Sequence, residues 1–140
     1  MVNCPTAREV SVQEKAFSHV TKTFNFDKVF CDVSKQEDVF KSVATPLIKQ
    51  VLQGYNCTVF AYGQTGTGKT HTMEGIKEFS GHPEDDVNAG IIPRSLVDIF
   101  DQKKKGKFDH NNFQIKVSFL ELYNEEIFDL LSKGGDPDRR

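Results

Sequence analysis

Tryptophan is absent from the 140-residue sequence, and cysteine, methionine and proline are scarce, at three, two and five. Cys4, Cys31 and Cys57 are odd in number, widely spaced and form no C-x-x-C pair. That pattern argues against both a disulfide framework and a zinc site. It suits the reduced thiols of a cytosolic or nuclear protein. Neither sign of charge dominates. Eighteen Lys and Arg against twenty Asp and Glu give a formal net charge of −2, so no basic field marks the chain as a binder of nucleic acid or membrane surface. No apolar run reaches transmembrane length, and the N-terminus lacks the core of a signal peptide. There are no internal repeats and no low-complexity tract. A chain of this length is one ordinary domain, able to bury roughly two-thirds of its unfolded surface, and no second domain is expected.

What is present is ordered. Val10-Ser11-Val12 alternates briefly and suggests a first edge strand, and residues 23–30 alternate better and read as another. Ser34 followed by Glu37 forms a capping-box pattern at the start of a helix. Val39, Phe40, Val43, Leu47, Ile48, Val51 and Leu52 give that helix one apolar stripe. Pro46 lies inside the stripe and is expected to bend it, and Gly54 is placed to stop it. Residues 75–90 read as an extended loop inserted into the pattern, bracketed by glycines and carrying Glu84-Asp85-Asp86. Pro93 fits the first turn of a further helix whose buried side is Leu96, Val97, Ile99 and Phe100. Lys103-Lys104-Lys105-Gly106-Lys107 reads as a solvated turn. A strand is expected over 113–123, and Ile127, Phe128, Leu130 and Leu131 form a short apolar cluster after it.

The sharpest signal lies between the two helices. Gly63-Gln64-Thr65-Gly66-Thr67-Gly68-Lys69-Thr70 fits the phosphate-loop pattern G-x-x-x-x-G-K-[ST] at every fixed position. Gly63 and Gly68 allow tight turns and bring backbone N–H groups against a phosphate. Lys69 supplies a mobile positive charge for the outer phosphates. Thr70 offers a hard hydroxyl oxygen that suits Mg²⁺. The context agrees. Cys57-Thr58-Val59-Phe60-Ala61-Tyr62 reads as a parallel strand buried on both faces, and no helix breaker follows Lys69 until Gly75. The competing reading is a Gly/Thr-rich surface loop. Strand, phosphate loop and helix together begin an α/β three-layer P-loop NTPase fold.

Residues 61–73 resemble the phosphate loop of the kinesin motor domain almost letter for letter. Residues 54–60, Gly90-Ile91-Ile92-Pro93-Arg94 and residues 119–131 match the same family in order and spacing. The approach Gly54-Tyr55-Asn56-Cys57-Thr58 and the long 75–90 loop are similar to kinesin-5, the bipolar spindle motors. The resemblance implies ATP or ADP with Mg²⁺ as cofactors. Gly63, Gln64, Thr65, Gly66, Thr67, Gly68, Lys69 and Thr70 would wrap the triphosphate. Lys69 and Thr70 would carry catalysis, Thr70 would ligate the metal, and His71 would lie on the adenine face. The other reading of His71 is a plain surface histidine on the first helical turn. Glu74, Gly75, Asp86, Ile92 and Pro93 match positions around the family's allosteric inhibitor pocket. Pro83 stands about where that loop often carries a Trp. Tyr123-Asn124-Glu125-Glu126 is a family signature read here as mainly structural. Microtubules would be the partner, and cytoplasmic spindle microtubules the location. Neither nucleic acid nor membrane is implied, and oligomerisation would use regions outside residues 1–140.

Hydrolysis needs groups that orient water and sense the γ-phosphate. The kinesin switch motifs Asn-x-x-Ser-Ser-Arg-Ser-His and Asp-Leu-Ala-Gly-Ser-Glu do not occur in the sequence, and nor does the Arg-x-Arg-Pro adenine-side motif. Residues 1–140 are therefore expected to be part of a motor domain that would be inactive and would not fold as the family does by itself. A non-catalytic nucleotide- or tubulin-interaction module is the alternative. An unrelated GTPase is disfavoured because no Asn-Lys-x-Asp motif occurs.

Overall fold

Three short strands open the chain. β1 (Val2–Thr6), β2 (Glu9–Gln13) and β3 (Thr21–Asn25) form an antiparallel sheet in the order β1-β2-β3. The computed structural model describes residues 1–13, 20–76, 86–106 and 113–132. It divides into two units, residues 1–105 and 106–140, which are taken in turn.

The alternation at Val10-Ser11-Val12 lies in β2, which is the middle strand and not an edge. Its edge partner β1 gave no sequence signal. Pro5 interrupts the register between Asn3 and Thr6, the kind of irregular edge position where a residue without an N–H is tolerated. The strand expected over 23–30 starts at Thr21 and ends at Asn25. Beyond it the N–H groups of Phe26 and Val29 donate to the carbonyls of Arg8 and Ala7, at 2.8 and 2.7 Å, so this stretch follows the β1–β2 turn instead of a ladder.

α1 (Gln36–Val51) and α3 (Ile91–Lys104) form the main packing contact, and α2 (Lys69–Met73) joins them. The cap of α1 sits one residue later than the sequence suggested. The Asp38 carboxylate accepts from the Lys35 backbone N–H at 2.9 Å. Ser34 is drawn into the preceding turn, where its N–H donates to the Cys31 carbonyl at 2.9 Å. Pro46 lies within α1, where it has no N–H to give the Ser42 carbonyl. Gly54 ends the helix as expected. Its φ is +99°, and the Tyr55 and Gly54 N–H groups return to the carbonyls of Gln50 and Val51 at 3.1 and 2.9 Å. This is the Schellman pattern, which favours glycine at the left-handed position.

The core is centred on Ala44, Ile48 and Ile91, with Val39, Phe40, Leu52, Val59, Met73 and Ile99 against it. Small Ala44, one turn before Ile48, lets α3 approach closely. Burying Ile48 is worth roughly 1.5–3 kcal/mol. The stripes are narrower than expected. Val51 on α1 and Leu96 and Phe100 on α3 are exposed. α3 also starts at Ile91, two residues before Pro93. Lys103 and Lys104 lie in its last turn, where positive charge suits the helix C-terminus.

The Cys57–Tyr62 segment is not a strand paired on both sides. Cys57, Val59 and Ala61 are half-buried while Thr58, Phe60 and Tyr62 are exposed, Phe60 to 80% and Tyr62 to 95%. One face of an extended segment is covered, with Val59 reaching the core beneath it. No strand among the described residues pairs with its backbone, so the hydrogen bonds that would define a parallel sheet are missing. Both described sheets are antiparallel.

In the second unit, β4 (Leu120–Tyr123) and β5 (Glu126–Asp129) form an antiparallel hairpin. Asn124 and Glu125 have φ of +51° and +66°, which makes the link a two-residue type I′ turn. Tyr123-Asn124-Glu125-Glu126 thus builds a turn. Residues 113–119, expected to be strand, have no regular structure because the hairpin begins at Leu120. A hydrogen bond from the Leu130 N–H to the Phe119 carbonyl at 2.8 Å extends the pairing by one step.

Candidate functional site

The phosphate-loop residues lie between the half-covered segment ending at Tyr62 and the first turn of α2. Gly66 and Gly68 adopt φ of +83° and +87°, a region that L side chains rarely enter. A Cβ added to Gly63 would come within 2.6 Å of the Thr67 hydroxyl oxygen. The glycines are therefore needed by the backbone path itself.

The loop is held from inside. Lys69 Nζ donates to the carbonyl oxygens of Gly63 and Gln64, each at 2.8 Å. The Thr67 hydroxyl also donates to the Gln64 carbonyl at 2.8 Å. The carbonyls thus turn toward Lys69. The N–H groups of Gly66, Gly68, Lys69 and Thr70 meet no acceptor among the described residues. Successive unpaired N–H groups beside a cation form a concavity that suits an anion. The Thr70 hydroxyl is exposed and bonds to no described residue, which leaves an oxygen free for a hard cation. No cluster of His, Cys, Asp and Glu that could hold a metal occurs among the described residues. A metal here would thus depend on Thr70 and on the oxygens of its own ligand. The donor set fits Mg²⁺ carried by a polyphosphate. α2 has five residues, so its dipole adds little beyond those first N–H groups.

His71 follows on α2. Its ring and its backbone carbonyl face the side chain of Gln36, the first residue of α1. Sequence reasoning missed Gln36. It is a polar residue at a helix start, and nothing local marks it as a partner for residue 71.

Glu74, Gly75 and Asp86 gather at the neck of the 75–90 loop. Gly75 pairs with Ala89 in an isolated antiparallel bridge. The Gly90 N–H donates to the Glu74 carbonyl at 3.3 Å. Arg94, another residue given no role by sequence, clamps the far arm. Its Nη2 donates to the Asp86 carbonyl at 2.7 Å and its Nε to the Ala89 carbonyl at 2.9 Å. Ile92 and Pro93 lie in the first turn of α3. Pro83, Glu84 and Asp85 lie outside the described residues. An open groove of about 240 Å³ runs between α1 and α3, lined by Glu37, Phe40, Lys41, Arg94, Val97, Asp98 and Asp101. It includes none of the five expected pocket residues. Within it Glu37 pairs with Lys41, and the hydrogen bond and charge of Lys41 hold the carboxyl below its ordinary value.

A glycine-shaped loop whose Gly66, Gly68, Lys69 and Thr70 N–H groups meet no acceptor among the described residues, with a lysine folded over it, has the local form that the P-loop class shares. Comparison with known proteins narrows the class. The Kinesin motor domain family profile matches residues 2–139. Kinesin-like protein Klp61F of Drosophila melanogaster is 52% identical over 127 residues, 89% of this chain and 12% of its own length. Kinesin-like protein KIN-5B of Oryza sativa subsp. japonica is 51% identical over 125 residues, 89% of this chain and 12% of its own. Kinesin-like protein KIF11 of Mus musculus is 50% identical over 145 residues, covering 100% of this chain and 14% of its own. The chain belongs to the kinesin motor domain family, and the relatives it resembles at about 50% identity are kinesin-5 members. The P-loop NTPase fold class follows from that membership. The chain spans about an eighth of the length of these relatives.

Proposed function

We propose that residues 1–140 form the ATP-binding portion of a microtubule-based motor ATPase of the mitotic spindle. The observation that carries this reading is the set of unpaired N–H groups at Gly66, Gly68, Lys69 and Thr70 beside the Lys69 ammonium. In this reading those groups bind the triphosphate and Thr70 ligates its Mg²⁺. The metal neutralises charge on the β- and γ-phosphates when bound. Lys69 exchanges the carbonyls of Gly63 and Gln64 for the outer phosphates. His71 packs against the adenine. Glu74, Gly75, Asp86, Ile92 and Pro93 border an allosteric pocket at the loop neck.

The three-layer sheet, the γ-phosphate sensors and the microtubule-binding face belong to the rest of the motor domain in this proposal. The exposure of Phe60 and Tyr62 supports it, since a central strand needs neighbours on both sides. Cytoplasmic spindle microtubules are the proposed location, and self-association lies outside residues 1–140. Comparing ATP hydrolysis by the full-length protein and by residues 1–140 alone tests the reading. Microtubules should stimulate the former, while the latter shows no turnover and no sharp cooperative melt. Turnover by residues 1–140 that disappears in Lys69→Ala would show that the segment holds the whole catalytic apparatus.

A further inference from the structure

The Gln64 carbonyl accepts from two side chains of its own loop. Lys69 Nζ and the Thr67 hydroxyl each donate to it at 2.8 Å, and the Thr67 N–H makes a longer approach at 3.4 Å. A carbonyl oxygen has two lone pairs, so these two side chains fill it. Gly63 leaves room for the arrangement, since a Cβ there would come within 2.6 Å of the same hydroxyl oxygen. The two donors are not equivalent. Lys69 also holds the Gly63 carbonyl, and its ammonium is the group that a phosphate draws away. The Thr67 hydroxyl carries no charge and gains less from an anion.

We infer that Thr67 is a positioning residue for the phosphate loop. Its hydroxyl keeps the Gln64 carbonyl occupied and fixed in direction when Lys69 leaves it for phosphate. The inference rests on the reading of residues 63–70 as a triphosphate site. The N–H groups of Gly66, Gly68, Lys69 and Thr70 meet no acceptor among the described residues, which favours an anion beside them. When Lys69 moves, the Gln64 oxygen loses a cation. Without Thr67 it would be left with no side-chain donor, free to turn its partial negative charge toward the incoming phosphate. With Thr67 the exchange leaves one strong donor in place and the loop keeps its shape.

Titration calorimetry of Mg·ATP into the full-length protein tests this with three variants. Thr67→Ala removes the hydroxyl, Thr67→Ser keeps it, and Lys69→Ala probes the site itself. Thr67 is exposed and its side chain bonds within its own loop, so the fold should survive. Thr67→Ala should weaken binding about three- to tenfold, the effect of losing one neutral hydrogen bond. Thr67→Ser should restore it to within about twofold of wild type, because the hydroxyl and not the methyl does the holding. Wild-type affinity in Thr67→Ala, with binding weakened in Lys69→Ala, overturns the inference and leaves the triphosphate site standing. Thr67→Ser as weak as Thr67→Ala also overturns it. Unchanged affinity in Lys69→Ala overturns the reading of the site, and the inference falls with it.

Discussion

Gly75 and Ala89 face each other as a single antiparallel bridge that closes the neck of the 75–90 loop. Gly75 has φ of +90°, and a Cβ there would strike the Asn88 carbonyl oxygen and come within 2.7 Å of the Gly90 nitrogen. Gly75→Ala should therefore cost about 2–4 kcal/mol through strain and overpacking together. Gly54 shares the left-handed backbone, at φ +99°, but has nothing within 4 Å of a built Cβ. Gly54→Ala should cost only about 1 kcal/mol. Denaturant midpoints of the two variants check the difference, and equal midpoints would mean that the close approach at Gly75 is relieved at no cost.

Ile48 and Val51 both belong to the apolar stripe of α1, yet only Ile48 is buried. Ile48→Ala should cost about 2–4 kcal/mol, and Val51→Ala under about 1 kcal/mol. Chemical denaturation of each variant reads both values.

Glu37 pairs with Lys41 one turn along α1. The Lys41 hydrogen bond and charge lower the Glu37 pKa from its ordinary 4.5, with a smaller contribution from the charge of Arg94. A lowered folded-state value means the pairing contributes at neutral pH and fades as pH falls through that value. Lys41→Met should raise the Glu37 titration midpoint in an NMR pH series. Both side chains are more than half exposed, so thermal stability at neutral pH should hardly change.

Glu125 holds a positive φ of +66° at the second position of a type I′ turn, where glycine is favoured. Glu125→Gly should stabilise the hairpin by about 0.5–1 kcal/mol, read as slower amide exchange in residues 120–129.

Elements with complete local signals were legible in the sequence. Gly54 carries its own physical cause and ends α1 where it was read, and the apolar repeat of α1 marks the helix although Val51 within it is exposed. The parts that were not legible depend on partners far along the chain. Cys57–Tyr62 has strand composition, but a strand is defined by its neighbours, and Phe60 and Tyr62 are bare. Residues 114–118 alternate but belong to no described strand. β1 was hidden because Pro5 and an irregular register break its pattern. Gln36 and Arg94 act through contacts to His71 and to the Asp86 and Ala89 carbonyls. No sequence period encodes either contact.

Titration calorimetry of Mg·ATP into the full-length protein and its Lys69→Ala variant tests most directly whether residues 63–70 hold a triphosphate. Losing a charge-assisted hydrogen bond should weaken binding roughly ten- to a hundredfold. The folded structure should survive, because Lys69 bonds only to carbonyls of its own loop among the described residues. Equal affinity in a folded Lys69→Ala protein would contradict the account.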